Sequence, residues 1–306
     1  MSRKVLYRWL EWLRWPNLCI VALTQVLVQY ALIERYVGYV ELPFPHFLLF
    51  VFVTVLIAAS GYVVNDLYDL PTDRINKPDK LWIGRHVRKA VAWRYYLGMV
   101  AVGAVIAAGL AAYVDALHLW GIYLLAVGSM FSYSKWLKGR PFWGNLLVAL
   151  FTAFVVWIVW FANRHVLATF AERQPHTAAW LWAMVHGYCL FALLSTLMRE
   201  MIKDLEDETG DRLAGLCTLP IVYGVAFAKK LTVVVGVVLA LLLGFVAIWL
   251  FAERRWLAMG TAMGLAIWVL WLCEATFRAQ KKTDFAAVSM ELKLIMVVGL
   301  IAVLFL

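Results

Sequence analysis

Six of the seven aspartates in two short stretches share one spacing: Asp66, Asp69 and Asp73 in "NDLYDLPTDRINKPDK", and Asp204, Asp207 and Asp211 in "REMIKDLEDETGDRLAG". Both sets follow i, i+3, i+7, a spacing that puts three carboxylates on one face of a helix. Either run alone reads equally well as a solvated helix cap. The repetition weighs against that, because like charges three and four residues apart repel and acids near a helix carboxyl end meet the wrong end of its dipole. A cation is the natural compensation. With oxygen ligands and neither histidine nor cysteine among them, the ion is hard, as Mg²⁺ is. Mg²⁺ takes one or two carboxylates and fills its shell with water and phosphate oxygens, so two facing triads would hold two or three ions able to bridge a diphosphate. Asp66, Asp69, Asp204 and Asp207 are the catalytic candidates within these metal sets. Lys77 and Lys80 follow the first motif, Arg199 and Lys203 precede the second, and Lys135, Lys138 and Arg140 lie between them. Arg199, Lys203 and either Lys135 or Lys138 are the strongest candidates for holding an anion.

These motifs need long apolar elements behind them. Of 306 residues, 64% are hydrophobic and 15% charged, more apolar surface than the polar residues of a soluble chain could cover. The chain reads as an all-α integral membrane protein, a single domain over residues 1–306. Stretches of about 20 apolar residues predict nine spans, at roughly 15–34, 45–64, 94–114, 117–134, 142–162, 178–199, 228–251, 256–276 and 286–306. The amino terminus and the loops after the second, fourth, sixth and eighth spans hold 22 of the 28 lysines and arginines. That asymmetry predicts a cytoplasmic amino terminus and puts both acidic motifs at the cytoplasmic face. The net charge of +9 is then mostly a topology signal, and no basic module for nucleic acid is expected. The first residues lack the pattern of a removable signal peptide.

Trp9, Trp12, Trp15, Trp120, Trp136, Trp143 and Trp256 lie near span ends and read as interfacial anchors. Four scattered cysteines suggest neither disulfide nor zinc. Glu291 and Lys293, inside the last span, read as a local pair.

The sequence resembles the UbiA-type superfamily of intramembrane prenyltransferases. "NDLYDLPTDRINKPDK" matches the NDxxDxxxD signature. "REMIKDLEDETGDRLAGLCTLPIVYG" is similar to the second aspartate motif, "YSKWLKGRPFWGNLLVA" to the tyrosine-then-lysine loop leading into a Gly-Asn helix start, and "LRWPN" to the opening helix. The resemblance implies a helical bundle around a central cavity, with Mg²⁺ holding the diphosphate of a polyprenyl donor at its rim. It assigns Asn65 with the first motif, Tyr133 and Lys138 in the loop (with Lys135 a competing register), and Arg14 and Asn17 on the first helix. Ring faces such as Tyr68 or Tyr133 would stabilise an allylic carbocation.

The first-motif continuation is most similar to the branch containing digeranylgeranylglyceryl-phosphate synthase and chlorophyll synthase. There a basic segment ends in Ser-Gly, whereas this chain has "KLWIGRHVRKA", a departure that leaves the acceptor open. The implied activity is Mg²⁺-dependent transfer of a polyprenyl group, of geranylgeranyl-like length, to a hydrophobic or amphipathic acceptor such as a glycerol-phosphate ether lipid. Phosphoribosyl transfer to a polyprenyl phosphate and a secondary transporter are the competing readings. Transport fits less well, because the acids lie at one membrane face and no Gly/Pro-broken helix pair marks the midplane.

Overall fold

The computed structural model describes residues 9–76 and 81–306, with backbone alone at 75 and 76; Lys77 lies outside the described residues. The described chain is helical. Helix α1 runs Trp15–Val37, with a π-helical segment at Leu27–Glu34. It is followed by α2 (Phe44–Tyr68), α3 (Leu70–Asn76), α4 (Lys89–Tyr113), α5 (Trp120–Ser132), α6 (Trp143–Ala162) and α7 (Arg164–Arg173). The remaining helices are α8 (Pro175–Leu213), α9 (Leu219–Tyr223), α10 (Val225–Ala252), α11 (Trp256–Arg278) and α12 (Lys282–Ile301).

Among the described residues, eight helices are long and apolar enough to cross a membrane: α1, α2, α4, α6, α8, α10, α11, and α12 with its closing turn. The ninth predicted span, 117–134, differs. It is pieced together from a 3₁₀ turn, Leu117–Leu119, and the 13 residues of α5, and it runs on without a break beyond Ser132. At Tyr133 the helix changes to a π turn, Tyr133–Leu137.

By its contacts the chain divides into two compact units, Met1–Leu23 with Leu42–Lys138, and Thr24–Glu41 with Gly139–Leu306. In the first, α2 packs against α4 around Trp12, Val63, Val64, Leu67, Ile83, Val87, Ala92 and Tyr96. The segment after the first motif closes in a tight turn. Gly84, at φ +91°, supplies the left-handed residue, and its N–H bonds the Val87 carbonyl at 2.8 Å.

In the second unit, α8 runs with α6, α10 and α12, and α10 with α11. Helix α10 shows how a membrane bundle sorts its residues. Leu239, Leu243, Ala247 and Leu250 are buried, while Leu241, Phe245 and Ile248 are each 68% exposed, so apolar side chains occupy both faces, as a lipid-facing helix requires. The end of α1 is tied in by polar groups: Asn163 Nδ2 donates to the buried Gln29 Oε1 at 2.8 Å, and Asn163 Oδ1 accepts from the Glu41 N–H at 3.0 Å.

Candidate active site

The first acidic motif lies where α2 passes into α3. Pro71 has no N–H and would crowd the Leu67 carbonyl, so the helix breaks at Asp69, yet its ladder continues across the break. The Asp69 N–H bonds Asn65 O at 2.8 Å, and the Asp73 N–H bonds Asp69 O at 2.8 Å. The helical spacing read from sequence is therefore kept through the proline.

Two of the three carboxylates here, Asp66 and Asp69, are met by a cation. Arg14 Nη2 donates to Asp66 Oδ1 at 2.6 Å, and Trp12 Nε1 donates to Asp66 Oδ2 at 3.1 Å. The Arg14 guanidinium also lies over the Tyr62 ring, 4.8 Å from its centroid. Arg14 holds this position at φ +53°, a left-handed conformation unusual for a side-chain-bearing residue. Burial alone would lower the Arg14 pKa, but Asp66, with Tyr62, Asp69 and Asp73, raises it. Asp69 is 7% exposed; its Oδ2 accepts from Asn65 Nδ2 at 2.6 Å and from Lys138 Nζ.

The π turn decides which lysine reaches this motif. Its extra residue carries the Lys138 N–H to the Tyr133 carbonyl at 3.0 Å, an i to i+5 bond, and Lys138 then pairs with Asp69. Lys135 instead points outward, its ammonium 4.5 Å from the Trp136 ring centroid. Of the two registers, Lys138 is the one that meets the acids. Burial pulls the Lys138 pKa down, and Asp69 outweighs it and raises the value above that of an ordinary lysine. Tyr133, half-buried, opens the turn. Tyr68 packs edge-on against Trp93 and Phe131. Asn17 lies one turn into α1, its N–H on Arg14 O at 2.8 Å.

The second motif belongs to the second unit and stays on one unbroken helix. At 39 residues, α8 is about 58 Å long, far more than the bilayer core, so the acids ride on the part that outruns the apolar segment. Asp204 Oδ2 accepts from Asn145 Nδ2 at 2.8 Å. Asn145 is 7% exposed in the first turn of α6. Asp207 Oδ1 lies 3.7 Å from Lys282 Nζ, and Asp211 is buried. Earlier on α8, Lys203 Nζ and Arg199 Nη1 lie 2.6 and 3.4 Å from Glu200 Oε1, and Arg199 Nε donates to Ser289 O at 3.3 Å.

Among the described residues no three His, Cys, Asp or Glu side chains converge as a metal-binding group. The donors nonetheless suit Mg²⁺, which needs only one or two carboxylates from the protein. Beside Asp69, Asn65 Oδ1 is buried and accepts no hydrogen bond from the described residues, an oxygen suited to a hard cation or its water.

Several contacts around the acidic motifs depart from the sequence expectation. Trp12 is 6% exposed and bonds Asp66, so it does not serve as the interfacial anchor its position suggests. Trp15, Trp136, Trp143 and Trp256 are exposed, as anchors should be. Trp82, from the departing "KLWIG", stacks on Trp12 with centroids 6.2 Å apart. Asn145 and Glu200 were unassigned, although the Gly-Asn helix start was legible. Glu291 accepts from Trp268 Nε1 at 3.0 Å and does not pair with Lys293, because residues two apart point to opposite sides of a helix.

The model of the UbiA prenyltransferase family matches residues 15–296. Among curated proteins, the chain is 32% identical over 190 residues to digeranylgeranylglyceryl phosphate synthase of Methanopyrus kandleri, covering 62% of each chain. It is 39% identical over 171 residues to the enzyme of that name from Halobacterium salinarum, covering 56% of this chain and 54% of that one. The match thus spans little more than half the length of these relatives. A solved structure concerning digeranylgeranylglyceryl phosphate synthase is similar with TM-score 0.68 and 22% identity, over 98% of this chain and 97% of that one. A UbiA homolog from Archaeoglobus fulgidus bound to GPP and Mg²⁺ gives TM-score 0.59 at 16% identity, over 98% of this chain and all of that one. At such identities the structures speak for the fold. With eight helices among the described residues long and apolar enough to cross a membrane, this is an integral multi-pass membrane protein, and it belongs to the UbiA prenyltransferase family.

Proposed function

We infer that the chain is a single catalytic domain that transfers a polyprenyl group, of about geranylgeranyl length, from its allylic diphosphate to a glycerol-phosphate-type amphipathic acceptor. The site faces the cytoplasm. The observation that carries this reading is the twin arrangement. In each unit an i, i+3, i+7 acidic motif extends a membrane helix, and basic or amide side chains from elsewhere in that unit meet its carboxylates. The names of the curated relatives support the choice of acceptor.

Asp66, Asp69 and Asp73, and Asp204, Asp207 and Asp211, would hold Mg²⁺, which when bound neutralises charge developing on the diphosphate. Asn65 orients Asp69 through its amide. Arg14 and Lys138 hold Asp66 and Asp69 in place and offer N–H donors to diphosphate oxygens; Lys77 and Lys135 are weaker candidates for the same anion. Arg199 and Lys203 bind substrate anion on α8. As the allylic C1–O bond breaks, its electron pair leaves with the diphosphate. The Tyr68 and Tyr133 rings stabilise positive charge on the prenyl carbon, and Asn17 lies near the reacting end. The acceptor oxygen then bonds to C1, and its proton passes to a carboxylate of the second motif.

The test is incubation of purified protein with labelled prenyl diphosphates of several lengths, Mg²⁺ and an alkylglycerol phosphate, read by mass spectrometry. An ether-linked prenyl product that requires Mg²⁺ and is lost in Asp66→Ala and Asp207→Ala is expected. Product formation undiminished in both variants would overturn the mechanism, and a product carrying phosphoribose would move the assignment to phosphoribosyl transfer.

A further inference from the structure

Lys293 is half-buried on α12, about 16 Å along the helix axis beyond Lys282. Among the described residues it makes neither ion pair nor hydrogen bond. Glu291 cannot serve it, being turned to Trp268 on α11. One turn before Lys293, on the same face of α12, the Ser289 carbonyl accepts from Arg199 Nε at 3.3 Å. The ammonium of Lys293 and the guanidinium of Arg199 therefore belong to one face of the α8–α12 contact.

Glu200 Oε1 is shared by Arg199 and Lys203, and Lys293 brings a third cation to this face. Of the second-motif acids, Asp204 Oδ2 accepts from the neutral Asn145 amide, and Asp207 Oδ1 faces Lys282. A cation inside a membrane span is costly unless matched, and a bound anion would match this one.

We propose that Arg199, Lys203 and Lys293 form a second anion site, on the membrane side of the second acidic motif, that takes the phosphate monoester of the amphipathic acceptor. Arg199 precedes Asp207 by about 12 Å of helix, which separates this phosphate from oxygens bound at the aspartates. A phosphate monoester suits the set: it carries close to two charges at neutral pH, and its oxygens match an arginine fork and two point-like ammonium donors. Naming the anion as the acceptor's rests on the prenyl-transfer reading, whereas the site itself rests on the side chains.

The test measures binding apart from turnover. In detergent, the full chain is titrated with an alkylglycerol phosphate, with the uncharged alkylglycerol of equal chain length, and with inorganic phosphate. The phosphate amphiphile should bind at least about tenfold tighter than the uncharged one, as a charged hydrogen bond at a desolvated site implies, and Lys293→Met should abolish that preference while Lys293→Arg keeps most of it. Because Lys293→Met removes an unmatched charge, its ligand-free melting temperature should equal or exceed that of the parent. Equal binding of both amphiphiles by the parent, or an undiminished preference in Lys293→Met, would overturn the site; so would a marked fall in ligand-free melting temperature, which would make Lys293 structural. Vesicles of phosphatidylglycerol that bind as tightly as the monoester would make the ligand a bulk lipid and overturn the acceptor assignment. A preserved preference without prenyl transfer would refute the transferase reading and leave the anion site standing.

Discussion

Asn145, in the first turn of α6, gives its amide N–H to Asp204 Oδ2 at 2.8 Å across 59 positions of sequence. The bond orients the carboxylate. Groups that orient metal ligands typically change metal affinity by about 10- to 100-fold when lost. Asn145→Ala should therefore raise the Mg²⁺ concentration for half-maximal product formation by about that factor, and excess Mg²⁺ should restore most of the rate. A merely structural role would lower the rate at every Mg²⁺ concentration.

Lys138 and Lys135 differ by three positions and should differ sharply in consequence. Lys138→Met leaves Asp69, 7% exposed, without its cation. A cost of about 1–3 kcal/mol in stability and a drop of at least about 100-fold in product formation are expected. Lys135→Met gives up only a cation–π contact at an exposed site, about 0.5–1 kcal/mol, and should stay within a few-fold of the parent. Thermal unfolding in detergent and a product assay compare the two directly.

Trp12→Phe keeps an aromatic ring on Trp82 and deletes the Nε1 donor to Asp66. Loss of one hydrogen bond to a carboxylate is worth about 1.5–3 kcal/mol, so activity should fall by about 10- to 100-fold with little change in melting temperature. Trp82→Ala removes the stack and retains the donor, and should reverse the pattern, costing stability more than rate.

Gly299 on α12 faces the Phe191 ring, and a Cβ there would meet ring carbons at 2.4 and 2.5 Å. Gly299→Ala should destabilise the second unit by about 1–3 kcal/mol, despite a helix-propensity gain of about 1 kcal/mol. Phe191→Leu should restore much of the loss in the double variant. Additive effects of the two substitutions would contradict the contact.

Composition and hydropathy were enough for the helical membrane architecture, because a long apolar run has few alternatives to a spanning helix. At 117–134 they mark an apolar stretch but not its geometry, which passes from 3₁₀ through α to π turns, a feature with no sequence period of its own. The acidic motifs were legible because i, i+3, i+7 is itself a helix signature, and it survived Pro71. Their partners were less so. Trp12, Asn145 and Arg14 reach the acids across 52 to 59 positions, a separation that local patterning does not encode. Trp12 was also disguised by a sound rule, since tryptophans at span ends are usually anchors. The departing "KLWIG" appeared only as a missing basic turn; in the fold its Trp82 backs the residue that holds Asp66.

The Tyr133–Leu137 turn has a consequence for sequence length. Its i to i+5 bond accommodates one residue more than an α-helix would, and that surplus aims Lys138 at Asp69. Deleting any one residue of the turn would restore α periodicity and swing the following side chains by about 100°, taking the lysine off its acid with every chemical group still present. At this position function depends on how many residues the chain has, so a relative one residue shorter here would have to draw its cation from elsewhere.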